Sequence, residues 1–240
     1  MLVVDAVSKK FGALVVTDNI SFSVATGEAV GIVGPNGAGK TSLLNLVAGD
    51  LRPESGSVSF DDRNITKLNA NARCQLGIGR TSQIPRPFEG LTVFENVLVG
   101  ATFGSGSRLR GSHEVAAAEA LERTGLSRRA NVLAGSLTLL ERKRLELARA
   151  LATQPRLLLL DEIAGGLIEG EVLALVDTVK EIHASGVAIV WIEHIVHALI
   201  RVVDRMIAID GGRKLIEGDP LEVMASDAVR SVYLGAEVEQ

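Results

Sequence analysis

An α/β fold follows from three features of this 240-residue sequence. A glycine-rich loop stands between an apolar strand and a helix. An apolar strand ends in two acids about 120 residues later, and a block of helical periodicity lies between the two. The loop is Gly34-Pro35-Asn36-Gly37-Ala38-Gly39-Lys40-Thr41, followed by Ser42, a complete G-x-x-x-x-G-K-[ST] pattern. Residues 28–33 ahead of it read as a short strand, and residues 42–48 behind it as a helix. That setting turns a text match into a phosphate site. Glycines let backbone N–H groups curl around a β-phosphate with no Cβ in the way. The helix N-terminus adds its partial positive charge. Lys40 is expected to reach the β- and γ-phosphates, and the Thr41 hydroxyl to hold Mg2+.

The remaining elements follow in chain order. Apolar runs at 2–4, 14–16 and 20–24, with a further strand at 57–60 after Pro53-Glu54-Ser55-Gly56, read as an antiparallel set beside the loop strand. From Thr92 the pattern becomes helical. Thr92 and Glu95 form a capping box, and 96–99 continues that helix. Residues 104–107 and 111–112 read as loop, 113–124 as an alanine-rich amphipathic helix, and 141–153 as a helix stopped by Pro155. Residues 92–153 are therefore expected to form a helical lobe inserted into a single domain, whose core comprises 1–91 and 154–240. After Pro155 come a strand at 157–160, a helix at 171–184, a strand at 187–192, and a hairpin of 206–209 and 214–217 around Asp210-Gly211-Gly212-Arg213.

The second carboxylate site is the strand Leu157-Leu158-Leu159-Leu160 ending in Asp161-Glu162. Successive strand side chains point opposite ways, so the two acids take different tasks. Asp161 is assigned to the Mg2+ shell beside Thr41, and Glu162 to the attacking water as general base or orienting group. The strand at 187–192 leads to Glu193-His194. A histidine there can reach a γ-phosphate, because open α/β sheets bind ligands at the carboxyl edge. His194 is preferred over His197, one turn later. His113 and His183 lie in helical sequence expected to be exposed and receive no role. Arg142-Lys143-Arg144 reads as a solvated helix face.

Composition sets the outer limits. Hydrophobic residues make up 47%, enough for a sizeable core, and a net charge of -4 argues against nucleic acid as partner. The single Cys74 excludes a disulfide framework or a multi-cysteine metal site. No signal peptide is visible, and no window reaches the 18 or so apolar residues of a spanning helix. A soluble, cytoplasmic chain that meets a membrane only through a partner is expected.

With the phosphate loop, the leucine strand ending Asp161-Glu162 and His194 in this order, the chain resembles the nucleotide-binding subunit of ABC transporters over nearly its whole length. The resemblance implies a RecA-like P-loop NTPase core with an N-terminal antiparallel β region and an inserted helical lobe. It implies that Phe11 stacks on adenine, and that Gln83 meets Mg2+ and the membrane subunit. The run from Arg80 through Gln83-Ile84-Pro85-Arg86-Pro87-Phe88 to Val97 looks most like the branched-chain amino acid importer branch. The expected activity is ATP hydrolysis by two subunits closing on two Mg·ATP. The partners would be transmembrane permease subunits, a second ATPase subunit in a homo- or heterodimer and, indirectly, a solute-binding protein. The expected location is the inner face of the cell membrane.

Two segments depart from the family pattern. Where the signature L-S-G-G-Q belongs, this chain has Leu137-Thr138-Leu139-Leu140-Glu141, so Leu140 replaces the glycine whose backbone approaches the partner's γ-phosphate. A left-handed backbone at Leu140 would cost about 1 kcal/mol or more. Ile168 stands where a polar Asp, Asn or Thr is usual. In the family both elements act across the dimer interface, while the set acting on the chain's own nucleotide is whole. The pattern suits a heterodimer. The alternatives are a slowly hydrolysing ATP-dependent clamp and a soluble ABC ATPase of DNA repair or translation.

Overall fold

Alternation along buried strands decides what packs where in this molecule. The computed structural model describes residues 1–104 and 112–237. Strands β1 (Leu2–Phe11), β2 (Leu14–Val24), β4 (Ser55–Phe60) and β5 (Arg63–Asn64) form an antiparallel sheet ordered β2-β1-β4-β5. A second sheet holds β3 (Ala29–Val33), β6 (Ile78–Arg80), β7 (Leu157–Asp161), β8 (Ala188–Ile192), β9 (Arg205–Asp210) and β10 (Arg213–Gly218), ordered β10-β9-β3-β8-β7-β6. All of its pairs are parallel except β9 with β10. β3, β7 and β8 are buried at every residue, which is why they read as continuous apolar runs.

Leu157 and Leu159 face one core, shared with Ile32, Val190 and helix α1 (Lys40–Ala48) under the antiparallel sheet. Leu158 and Leu160 face the other, shared with Trp191, Leu145 and Leu175. By the same alternation Asp161 falls on the α1 side. The N-terminal strands are longer than their apolar cores suggest. They form a sheet of their own rather than lying beside β3.

Helices α3 (Val93–Phe103), α4 (His113–Arg123) and α5 (Leu139–Ala152) pack on one another between β6 and β7. The Thr92–Glu95 capping box opens α3, and a second box, Thr138 with Glu141, opens α5 two residues ahead of the expected start. Residues 105–107 and 111 of the expected loops lie outside the described residues. Helix α6 (Glu169–Ala184) covers the sheet after β7.

Four helices lie outside the elements expected from the sequence: α2 (Ala70–Gln75), α7 (Val196–Ile200), α8 (Pro220–Ala225) and α9 (Asp227–Glu237). α2 carries Arg73. This fully buried guanidinium donates from Nη1 to Leu46 O at 2.7 Å and Val47 O at 2.8 Å, the last-turn carbonyls of α1. It also reaches Leu68 O and Thr66 O. Burial pushes its pKa down to about 10. His183, expected to be exposed, is half-buried instead: Nε2 lies 2.8 Å from Gly27 O and 3.4 Å from Asp204, tying α6 to the turn before β3.

Candidate nucleotide site

The loop between β3 and α1 is held from both sides. Gly39, at φ +96°, would put a Cβ into the carbonyl of Val16 on β2. Gly34 would put one into the carbonyl of Ile209 on β9. Only glycine fits either place. Lys40 is 5% exposed, and its Nζ donates to Gly34 O and Pro35 O, each at 2.8 Å. The ammonium thus lies folded over the loop. Burial lowers its pKa, and the charges of Glu162 and Asp161 oppose that. A cleft of about 270 Å³ opens over the loop, lined by Asn36, Gly37, Ala38, Ser42, Leu14 and Glu162 among others. Phe11 is half exposed at the end of β1, paired in register with the cleft residue Leu14, with the Lys9 ammonium 5.4 Å from its ring centre.

Thr41 Oγ1 and Asp161 Oδ1 stand 3.5 Å apart. Asp161 is 1% exposed, and Arg80 Nη2 lies 3.4 Å from its other oxygen. Arg80 also pairs with Asp50. Burial raises the Asp161 pKa, Arg80 lowers it, and Glu162 adds to the rise. A hydroxyl and a carboxylate facing each other are oxygen donors of the kind Mg2+ takes, with water completing its shell. Gln83 is elsewhere: its Nε2 donates to Glu162 Oε2.

Glu162 has φ +46°, a left-handed backbone on a non-glycine residue. Its N–H still donates to Ile192 O at 2.9 Å, continuing the β7–β8 ladder. Glu162 therefore leaves the extended backbone on which strand alternation rests. Oε1 lies 2.7 Å from His194 Nε2. His197 points to Glu169 instead, at 3.2 Å.

Three charged residues that sequence reasoning missed complete the surroundings. Glu193, 1% exposed, accepts Ala164 N–H at 2.6 Å and His194 N–H at 3.1 Å, and burial pushes its pKa up. Glu146 accepts Arg86 N–H at 3.0 Å and Arg149 Nη1 at 2.9 Å, holding the segment after Gln83 against α5. Lys143 overturns the reading of a solvated basic face. Its buried ammonium donates to Gln83 O at 2.8 Å and Glu162 O at 3.1 Å. Helical spacing carried the signal, since Lys143 shares a face with buried Leu147 and Ala150.

In the signature segment, Leu137 is buried, Thr138 is the α5 N-cap, and Leu139, Leu140 and Glu141 form the first turn. Leu140 keeps an ordinary right-handed backbone, so the expected left-handed cost does not arise. Leu139 is 44% exposed, and Ile168 is 72% exposed at the N-cap of α6, where it offers no side-chain oxygen.

A glycine loop feeding a helix N-terminus at the carboxyl edge of a parallel sheet defines a nucleotide-binding α/β protein. The helical insertion between β6 and β7 narrows the class. The sequence model of the ABC transporter family matches residues 17–165. The chain belongs to this family, as an ATP-binding ATPase subunit of a transporter. It is 33% identical to the high-affinity branched-chain amino acid transport ATP-binding protein LivG of Salmonella typhimurium, over 98% of each chain. It is equally 33% identical to the lipopolysaccharide export system ATP-binding protein LptB of Acidithiobacillus ferridurans, over 98% of this chain and 97% of the relative. Among solved structures, the ADP conformation of an ATP-binding cassette of an ABC transporter superposes with a TM-score of 0.89, at 29% identity over 98% of each chain.

Proposed function

We propose that this chain hydrolyses ATP to drive an importer of branched-chain or related amino acids, closing with a second ATPase subunit on two Mg·ATP. The observation that carries the hydrolytic part is Glu162, a carboxylate beside the phosphate-loop cleft with one oxygen on His194 and the other on Gln83. Lys40 and the N-terminus of α1 neutralise the β- and γ-phosphates. Glu162 orients the attacking water and accepts its proton, and His194 holds Glu162 and meets the γ-phosphate. Thr41 and Asp161 hold Mg2+, which supplies further neutralising charge when bound. Phe11 and the β2 edge receive the base. Positioning and electrostatics are what phosphoryl transfer asks of a protein.

The amino-acid part rests on the Arg80–Val97 run and on the LivG likeness. The equal LptB likeness makes lipopolysaccharide export the competing substrate. Coupling to permease subunits runs through residues 83–88, where Ile84 and Phe88 are exposed while Glu146 and Arg149 grip the backbone. Membrane attachment would come from those subunits, since no helix among the described residues is long and apolar enough to cross a membrane. A second reading, a heterodimer in which this chain completes its partner's site poorly, is favoured by Leu139, Leu140 and Ile168 on the signature face.

The test is steady-state ATP hydrolysis by the purified chain and its Glu162→Gln variant, with sizing in Mg·ATP. Loss of turnover and ATP-dependent dimers in the variant are expected. Undiminished turnover would remove Glu162 from its role. For the substrate, a strain lacking the chain should lose uptake of radiolabelled leucine, and Lys40→Ala should not restore it. Normal uptake with defective lipopolysaccharide export would overturn the importer reading.

A further inference from the structure

The ammonium of Lys143 joins three segments that are far apart in sequence. It projects from the second turn of α5, and its two carbonyl partners belong to the loop leaving β6 and to the residue after β7. α5 and Glu162 face each other across a cleft of about 270 Å³ lined by Gln83, Leu139, Lys143, Glu162 and Gly165 among others. The ammonium spans it. The Glu162 partner is the carbonyl of a residue at φ +46°. Such a backbone persists only where its surroundings over-determine it. Ile192 O fixes the N–H side of that residue, and Lys143 fixes the carbonyl side. Tilting this peptide swings the attached side chain, and the same ammonium restrains the main chain of Gln83, which holds Oε2 of that carboxylate.

We propose that Lys143 is a positioning residue for hydrolysis: it ties the first turns of α5 to Gln83 and Glu162, so that the position of the helical lobe sets the aim of the Glu162 carboxylate. The inference rests on the reading of Glu162 given above. A misplacement of about 1 Å at a reacting centre can cost on the order of 100-fold in rate.

The test compares the full chain with Lys143→Met, which keeps the length and removes the donors, Lys143→Arg, which restores donors, and Glu162→Gln. Hydrogen exchange with Mg·ATP present is read over residues 81–88 and 162–167, together with kcat, KM and the melting temperature. Lys143→Met should raise exchange several-fold in both segments together and leave the interior of α5 unchanged. Its kcat should fall on the order of 10- to 100-fold with KM within about twofold, and Lys143→Arg should recover most of the loss. Unchanged exchange in either segment would overturn the clamp, as would an unchanged kcat while Glu162→Gln is inactive. A fall in kcat that tracks the melting temperature and is not recovered by arginine would leave only a structural role, and also overturns it. Full activity in Glu162→Gln would instead sink the reading of Glu162 on which the inference rests.

Discussion

His194 Nε2 meets Glu162 Oε1 at 2.7 Å while Gln83 occupies the second oxygen of the same carboxylate. A carboxylate bonded at both oxygens cannot rotate freely, so its plane is set before any substrate arrives. Removing the histidine frees one oxygen and leaves the phosphate loop untouched. His194→Ala should therefore bind ATP as the native chain does and lose about 100-fold in kcat. Fluorescent-nucleotide binding and steady-state hydrolysis measure the two separately. Equal losses in binding and turnover would mean that His194 acts through its contact with the γ-phosphate rather than through the carboxylate.

Arg73 gives a prediction about stability alone. Its guanidinium serves carbonyls of Leu46, Val47, Thr66 and Leu68 from a fully buried position. Arg73→Met keeps much of the volume and strands the last-turn carbonyls of α1 without donors. A loss of about 2–4 kcal/mol in unfolding free energy is expected. Urea denaturation reads it. A change within about 0.5 kcal/mol would show that other donors replace the guanidinium.

What was legible in the sequence is what depends on neighbours in sequence. The runs at 157–160 and 187–192 appear as β7 and β8 because strands covered on both faces must be apolar throughout. The Thr92–Glu95 box spans three residues and is found intact. Glu193 was passed over because its main partner, the Ala164 N–H, is 29 residues away. Lys143 looked like surface because its carbonyl partners are 60 and 19 residues distant. β6 is only three residues long, too short for a period to register. The left-handed backbone at Glu162 is a feature that no alternation rule anticipates.

Glu193 makes stability depend on pH. Its pKa is raised above the ordinary 4.5 by burial, so the folded chain holds this proton at pH values where the unfolded chain has released it. Its contribution is fully present below pH 4.5 and is lost as pH rises through the folded value. Buried Asp161 is shifted in the same direction and adds a slope of the same sign. Glu193→Gln removes one of the two. The stability of the native chain relative to this variant should decline as pH is raised from 4.5, then level off. Denaturation curves at a series of pH values test this, and parallel profiles would show that the buried carboxyl carries no extra proton.

Leu140 decides between the symmetric and asymmetric readings of the dimer. It occupies the first turn of α5 with a right-handed backbone, so the chain itself bears no strain there. Any penalty must arise when a partner's phosphate approaches that turn, where a branched side chain stands in place of a glycine. Leu140→Gly should cost about 1 kcal/mol in stability through helix propensity. If the signature face limits turnover, the same change raises ATP hydrolysis of the purified chain, on the order of 10-fold or more when the approach to a backbone donor is unblocked. The two effects have opposite signs, so a general loosening cannot imitate the gain. We expect the gain, with the native chain recovering comparable turnover only beside a partner that brings its own signature glycines. No gain in Leu140→Gly, nor when Leu139→Gly is added to it, would make the leucines tolerated substitutions and remove the signature argument for a heterodimer.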